Sequence, residues 1–194
     1  EEIAQLTQSI VIYVRQSVNG AEVLAPVLYL ASNADRQSTA AGAVIAGNQV
    51  SVDAGLFANS GMVASNHNLA VAASSVSSVS GTFASGGNMS IRGTDSVLLA
   101  NAKVNASGNL ALTSNGDINI SAAERTTTTV FGGKRSSTTV VRTTSLGSEV
   151  SAGGSVMAQA GGNLNVLGSD INAGGTVGLK AAGGITIAEA QNLT

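Results

Sequence analysis

Few residues of this sequence are suited to catalytic chemistry. The chain contains one histidine, His67, and no cysteine among its 194 residues. Zinc–thiolate sites, disulfides and thiol nucleophiles are therefore excluded, and a lone imidazole makes a histidine-rich metal site or an imidazole-based triad unavailable. We expect His67 to lie at an exposed corner of the fold.

The aspartates are the remaining candidates for acid–base chemistry. Polysaccharide lyases and hydrolases need several carboxylates, or carboxylates with Arg or Lys, on one face. Asp95 and Asp117 are 22 residues apart and could share a corner of a repeat, whereas Asp170 falls on a different corner. Stacked aspartates are more often solvated corner residues than catalysts. The sequence therefore predicts a protein that is not an enzyme and that binds no cofactor and no metal.

The stretch "ERTTTTVFGGKRSSTTVVRTT" concentrates positive charge. It holds four of the nine basic residues, and no carboxylate lies between residues 125 and 148. One interpretation is a solvated loop whose cations protect a strand edge against pairing with another chain. The other is contact with anionic groups, such as lipopolysaccharide phosphates, or with a partner chain that adds a strand. The candidate residues are Arg125, Lys134, Arg135 and Arg142.

The overall composition limits the class of protein. Charged residues make up only 10% of the chain and glycine contributes 24 residues, yet the 43% hydrophobic fraction is enough for a core. The net charge of −2 predicts no general attraction to nucleic acid. The longest apolar run is too short to span a bilayer. Because the chain opens on Glu1 rather than Met, we expect a piece of a longer protein.

A repeat predicts the elements that position these residues. Aliphatic phrases begin at Val156, Leu164, Ile171 and Val177, in steps of 8, 7 and 6 residues that add to 21. Earlier periods drift from 19 to 21, and we assign all of the drift to the first step. Period-two alternation marks a short strand with one buried face. The predicted fold class is all-β: a right-handed parallel β-helix with three short strands per turn, since parallel connections prefer that hand.

Stacked turns predict inward columns of equivalent residues about 4.8 Å apart. One turn cannot bury its own apolar face, so each turn depends on its neighbours. The first predicted column is Val50, Leu69, Met89, Leu110, Val156 and Val177; the second is Leu56, Val76, Val97, Ile118, Leu164 and Ile185; the third is Val44, Val63, Phe83, Val104, Val150 and Ile171.

The corners of the repeat are rich in glycine and asparagine. Gly-Gly pairs predict positive φ angles, which glycine adopts without a Cβ penalty. Asparagine recurs before the first strand, at Asn68, Asn88, Asn109 and Asn163, where we expect left-handed corners and side-chain amides that bond to one another.

One insertion interrupts the repeat. Leu110 and Val156 are 46 residues apart, which is one 21-residue turn plus 25. The steps on both sides of the surplus are normal. We therefore place an extruded antiparallel hairpin near residues 125–145, with Gly132 and Gly133 as its turn signal.

The first residues do not follow the period. The runs "SIVIYVRQSV" and "AEVLAPVLYL" are separated at Asn19 and Gly20, a strong hairpin signal. The predicted organisation is an N-terminal hairpin, cap and linker over residues 1–43 and a β-helix over residues 44–194, which contains the hairpin insertion.

The phrase "SAGGSVMAQAGGNLNVLGSDINAGGTVGLKAAGGITI" resembles the repeat of the filamentous haemagglutinin family. The lead "LTQSIVIYVRQSVNGAEVLAPVLYLASNAD" is similar to the segment that opens the second haemagglutinin-repeat region of contact-dependent growth inhibition effectors. The resemblance implies secretion by a Gram-negative bacterium through a dedicated outer-membrane transporter, and location at the cell surface.

For inhibition effectors, the resemblance further implies a segment that helps to carry a C-terminal toxin across the outer membrane of a target bacterium. Its expected partners are that outer membrane, the secretion transporter and the neighbouring repeats of the same chain, but no nucleic acid. The alternative is the β-helical shaft of a secreted adhesin or haemolysin, since the same repeat occurs there.

Overall fold

The computed structural model describes residues 10–18, 21–29, 42–133 and 136–190, and every regular element in these ranges is a β-strand. The chain divides into two compact units, Glu1–Ala41 and Gly42–Thr194. In the first unit, β1 (Ile10–Val18) pairs antiparallel with β2 (Ala21–Tyr29). This pairing confirms the N-terminal hairpin, whose predicted turn at Asn19 and Gly20 lies outside the described residues.

The second unit is a parallel β-helix with three faces. Long strands bend around the corner between the first and second faces: β4 (Val50–Asn59), β6 (Leu69–Val79) and β8 (Met89–Ala100). In later coils the corner separates the two faces. The first face continues with β10 (Leu110–Ser114), β15 (Val156–Ala160) and β18 (Val177–Ala181), and the second with β11 (Asp117–Ser121), β16 (Leu164–Leu167) and β19 (Ile185–Ala188).

A six-stranded parallel sheet forms the third face. Its strands are β3 (Val44–Gly47), β5 (Met62–Ser65), β7 (Thr82–Ser85), β9 (Lys103–Ala106), β14 (Glu149–Ala152) and β17 (Asp170–Ala173). Each coil thus pairs with the coils before and after it, and the predicted fold class is confirmed. Among the described residues, no helix has the length and apolar character needed to cross a membrane.

The interior of the β-helix is a continuous apolar core. The first predicted column is confirmed along its whole length, because each of its members pairs with the next from Val50 to Val177. Val97, Val104 and Leu110 are each at most 1% exposed. Their inward orientation is therefore confirmed as well.

Two members of the other columns are wrong by one residue. Phe57, rather than Leu56, pairs with Val76, and Leu56 is 79% exposed. Likewise Ile45, rather than Val44, pairs with Val63. A one-residue shift turns a strand side chain to the opposite face. The aromatic ring of Phe57 lies against the core, with its centroid 6.2 Å from that of Phe83.

The drift in period has two sources rather than one. Phe57 and Val63 are six residues apart, whereas the equivalent step in the next coil is seven, so the 19-residue period is short in its second step. The growth from 20 to 21 does lie in the first step. There Ala73 pairs with Gly93 but Ser75 pairs with Ser96, which leaves an extra residue in β8 as a bulge at the corner.

The corner glycines do not adopt the predicted conformation. Among the described glycines, only Gly132 and Gly168 have positive φ. The others are required because neighbouring coils approach closely. A Cβ on Gly87 would lie 2.7 Å from Oδ1 of Asn68, which is closer than real Cβ atoms approach another heavy atom. The same overlap with a corner side chain in the preceding coil would arise at Gly108, Gly154, Gly162 and Gly183.

The corner asparagines bond to the backbone of the next coil rather than to one another. Oδ1 of Asn68 accepts the N–H of Asn88 at 3.0 Å, and Oδ1 of Asn88 accepts the N–H of Asn109 at 2.8 Å. Asn163 is at a different corner, where its N–H donates to Oδ1 of Asp117 at 2.7 Å. The predicted stacking of these amides is therefore wrong, because the backbone N–H groups of the corner, which need acceptors, take the side-chain oxygens.

Candidate functional site on the inserted hairpin

One hairpin interrupts the coils. β12 (Ala123–Gly133) and β13 (Ser136–Leu146) form a two-stranded antiparallel sheet of their own. The hairpin leaves the β-helix at the corner between the second and third faces, after β11 and before β14. Gly133 lies opposite Ser136, so the strands extend past the Gly132–Gly133 turn that the sequence indicates. The longer ladder satisfies more backbone groups than a turn at the glycines would.

The coil below the hairpin closes in the same way as the other coils. Ala122 donates its N–H to the carbonyl oxygen of Leu167 at 2.9 Å, and Glu149 donates its N–H to that of Ala102 at 2.8 Å. These are the bonds expected between adjacent coils. The hairpin is therefore an addition to a complete corner and not a part of the stack.

Ser148 connects the end of the hairpin to the coils on both sides. It is 2% exposed, and its Oγ accepts the N–H of Ala102 at 3.0 Å. The same hydroxyl lies 2.9 Å from the carbonyl oxygen of Ser121 and 3.1 Å from that of Leu99. Its backbone N–H donates to Oγ of Ser169 at 3.0 Å. One buried hydroxyl thus satisfies backbone groups that the insertion would otherwise leave without partners.

The two described arginines of the hairpin lie on one face. Arg125 is opposite Thr144, and Arg142 is opposite Thr127. Directly opposed residues share a face and alternate residues return to it, so the two arginines are diagonal neighbours. Glu124 points to the other face. A shallow concavity is lined by the residues that we call the arginine face: Arg125, Thr127, Thr129, Val140, Arg142, Thr144 and Leu146.

The other two predicted contact residues, Lys134 and Arg135, lie outside the described residues. The structure therefore brings together Arg125 and Arg142 but gives no position for the remaining pair. Sequence analysis did not identify Thr127, Thr129 and Leu146 as members of the same face. The signal was present, because period-two alternation from Arg125 includes the first two.

The valines of the hairpin are not buried against the wall of the β-helix. Val130 is 63% exposed, Val141 55% and Val140 46%. The side chain of Phe131 lies outside the described set. Of the two arrangements open to a Thr-rich hairpin, contact with the wall or projection from it, the exposed valines fit projection.

The other candidate residues have structural contacts. His67 is exposed at a corner, as predicted, with Nδ1 3.0 Å from Oδ1 of Asn48. Asp95 and Asp117 do not stack, because Asp117 pairs with Ser96. The bulge in β8 causes this offset. Within the described ranges, no group of three or more His, Cys, Asp or Glu residues could hold a metal ion.

Comparison with known proteins gives matches along most of the β-helix. A family model described as hemagglutinin repeat matches residues 64–140 and 129–194. The chain is 34% identical to a tRNA nuclease CdiA-2 of Burkholderia pseudomallei (strain 1026b) over 127 residues, 66% of this chain and 4% of that protein. It is 38% identical to a tRNA nuclease CdiA of Yersinia mollaretii over 122 residues, 61% of this chain and 4% of that protein. The chain thus spans a small part of either relative. No solved structure matches it.

Proposed function

Because the chain belongs to the hemagglutinin-repeat family, we propose that it is a structural segment of a large secreted exoprotein of contact-dependent growth inhibition. The observation that carries this proposal is the unbroken stack of coils from Val50 to Val177, whose repeats match the family model from residue 64 onward. The similarity to the two CdiA proteins supports the inhibition class. Such a protein acts at the surface of a Gram-negative bacterium and reaches it through a dedicated outer-membrane transporter.

The specific role that we assign to the segment is delivery. It helps to carry a C-terminal toxin across the outer membrane of a target bacterium. The relatives are named as tRNA nucleases, but the part of them that resembles this chain is only 4% of their length. We place any nuclease activity outside the repeat segment and assign no enzymatic function and no nucleic-acid partner to this segment. In support, Oδ1 of Asp117 is an acceptor for a corner N–H of the next coil.

The second candidate is a passive shaft in an adhesin or haemolysin. The regular pairing of coils, with bonds from each corner to the next, favours this alternative because a uniform stack also suits a rigid spacer. The projecting hairpin favours delivery, since a spacer needs no insertion at one corner.

A deletion in the parent exoprotein tests the proposal. Residues 44–190 are removed, and three properties are measured: display at the cell surface, attachment to target cells and growth inhibition of those cells. We expect display and attachment to persist and inhibition to be lost. Loss of attachment together with inhibition would favour the adhesin, and retained inhibition would contradict a delivery role.

A further inference from the structure

We propose that the arginine face of the hairpin binds the phosphate of a phosphorylated lipid in the outer membrane of a target bacterium. The choice of a bacterial membrane lipid rests on the proposed delivery function. The phosphate chemistry rests on the hairpin itself.

The donors on the arginine face suit a phosphate group. A guanidinium presents N–H donors in a planar fork that matches two phosphate oxygens. Arg125 and Arg142 are exposed, and within the described part of the chain neither forms an ion pair. The hydroxyls of Thr127, Thr129 and Thr144, which line the same concavity, can donate to the remaining phosphate oxygens.

The placement of the two arginines is unfavourable without an anion. Diagonal neighbours on a two-stranded sheet have Cα atoms about 7–8 Å apart, so two like charges there repel each other. No carboxylate lies on this face to offset the repulsion, since Glu124 points to the opposite side. A phosphate between the two guanidinium groups would convert the repulsion into two attractions.

Exposed aliphatic side chains on the same face favour a lipid over free phosphate. Val140 is 46% exposed and Leu146 is 38% exposed, and both line the concavity with the arginines. Inorganic phosphate gains nothing from such side chains, whereas a phosphorylated amphiphile buries apolar surface against them. Protection of a strand edge, the structural alternative, requires charge but no particular face.

Vesicle binding by the full 194-residue chain tests the proposal. The probes are phosphatidylcholine vesicles alone, vesicles with bisphosphorylated lipid A and vesicles with dephosphorylated lipid A, at low and high salt. We expect binding only to the phosphorylated form, and weaker binding at high salt. Equal binding to the dephosphorylated lipid, or no binding to any vesicle, would overturn the proposal.

Two double variants identify the surface. Arg125→Gln with Arg142→Gln should weaken binding about 30-fold at low salt, as expected for two cations at a membrane surface. Arg92→Gln with Lys180→Gln removes the same charge from exposed positions on the first face and should leave binding unchanged. Equal weakening by both pairs would indicate attraction by net charge alone and would contradict a site on the hairpin.

A third variant and a competitor separate the sources of the anion. Arg125→Lys with Arg142→Lys keeps the charge but loses the fork, so its binding should fall between that of the wild type and the glutamine variant. Inorganic phosphate should not displace the protein from the vesicles. Full displacement would show a free-phosphate site and overturn the lipid assignment. Because no step measures growth inhibition, these outcomes are independent of the delivery test.

Discussion

Corner glycines and corner asparagines function as pairs from adjacent coils. Oδ1 of Asn109 accepts the N–H of Ser155 at 2.8 Å, and it occupies the space that a Cβ on Gly154 would need. The glycine is therefore required by the side chain of the coil before it. This relation explains why the Gly-Gly phrase recurs once or more in each turn.

Gly154→Ala should destabilise the protein, because the new methyl overlaps Oδ1 of Asn109 and the Asn109–Ser155 bond must shift. We expect a loss of about 1–3 kcal/mol in the free energy of unfolding, the usual range for overpacking. Urea denaturation measures the loss. Gly55→Ala is the matched control, since a Cβ there meets nothing within 4 Å. Equal stability of the two variants would show that the corner tolerates a side chain.

Ser148→Ala should also destabilise the protein, by about 1–3 kcal/mol, because the N–H of buried Ala102 loses its acceptor. Ser107→Ala, at an exposed corner, serves as the control. Thermal unfolding followed by circular dichroism compares the two. A Ser148→Ala variant that melts with the control would mean that water replaces the hydroxyl.

The residue-scale errors of sequence analysis have a common physical origin. Alternation predicts which residues share a face, but it does not locate the bend within a long strand. Gly55 lies where β4 turns from the first face to the second, and the prediction of Leu56 in place of Phe57 arises just beyond it. The core from Leu69 onward could be predicted because its strands are marked by two aliphatic residues each.

At the scale of elements, the hairpin should be removable without any bridge. Deleting residues 122–146 takes out 25 residues, the surplus over one turn, and joins Ser121 to Gly147. The new corner reads Ser-Gly-Ser-Glu and matches the later corner Leu167-Gly168-Ser169-Asp170. Gly147 would then occupy the position of Gly168, which has a φ of 53°. Glycine suits that left-handed conformation.

We expect the deletion variant to keep its β-sheet circular dichroism and to shift its melting temperature by only about 2–4 °C, because no core residue is lost. A deletion of the same length that removes a coil strand, residues 150–174, is the contrasting variant and should unfold. Loss of the β signal on deleting 122–146 would place the hairpin in the core.

The hairpin also shows what an element-level prediction retains when its register is wrong. The predicted turn at Gly132–Gly133 would place Arg125 opposite Val140, whereas the structure places Thr144 there. Both partners belong to the same face, because the shift is an even number of residues. The arginine face could therefore be predicted from the sequence, but the bulge in β8 and the buried bonds of Ser148 could not, since a lone serine carries no distinguishing pattern.

Across the whole molecule, the interior changes from partly polar to apolar along the stack. One inward column of the second face begins with Asn59 and Ser78 and continues with Leu99, Ile120 and Val166. Ser78 is 0% exposed, and its hydroxyl has no hydrogen-bond partner among the described residues. A buried hydroxyl without a partner lowers stability, so the early coils are the weaker part of the nearest-neighbour stack.

Hydrogen exchange should reveal this gradient. The amides of β6 should exchange faster than those of β15, although each strand is one coil from the end of the first face. Ser78→Ala removes the unpaired hydroxyl and should slow exchange in β6 while leaving β15 unchanged. Equal protection of the two strands in the wild type would mean that the polar interior has no effect on local opening.

The prediction that residues 1–43 cap and link to the β-helix remains a prediction. At this scale the sequence succeeded because the repeat imposes one geometry on every coil, so a few well-marked coils determine the rest. The assignment of a delivery function rests on the same stack together with the hairpin that departs from it.

The most direct test of that assignment is an exchange of coils in the parent exoprotein. Residues 44–190 are replaced by the same number of plain 21-residue coils without a hairpin, which keeps the length and the stacking. Toxin entry is measured as growth inhibition of target cells, with surface display and attachment as controls. We predict normal display and attachment but lost inhibition. Inhibition equal to that of the wild type would contradict the account and leave the segment as a spacer.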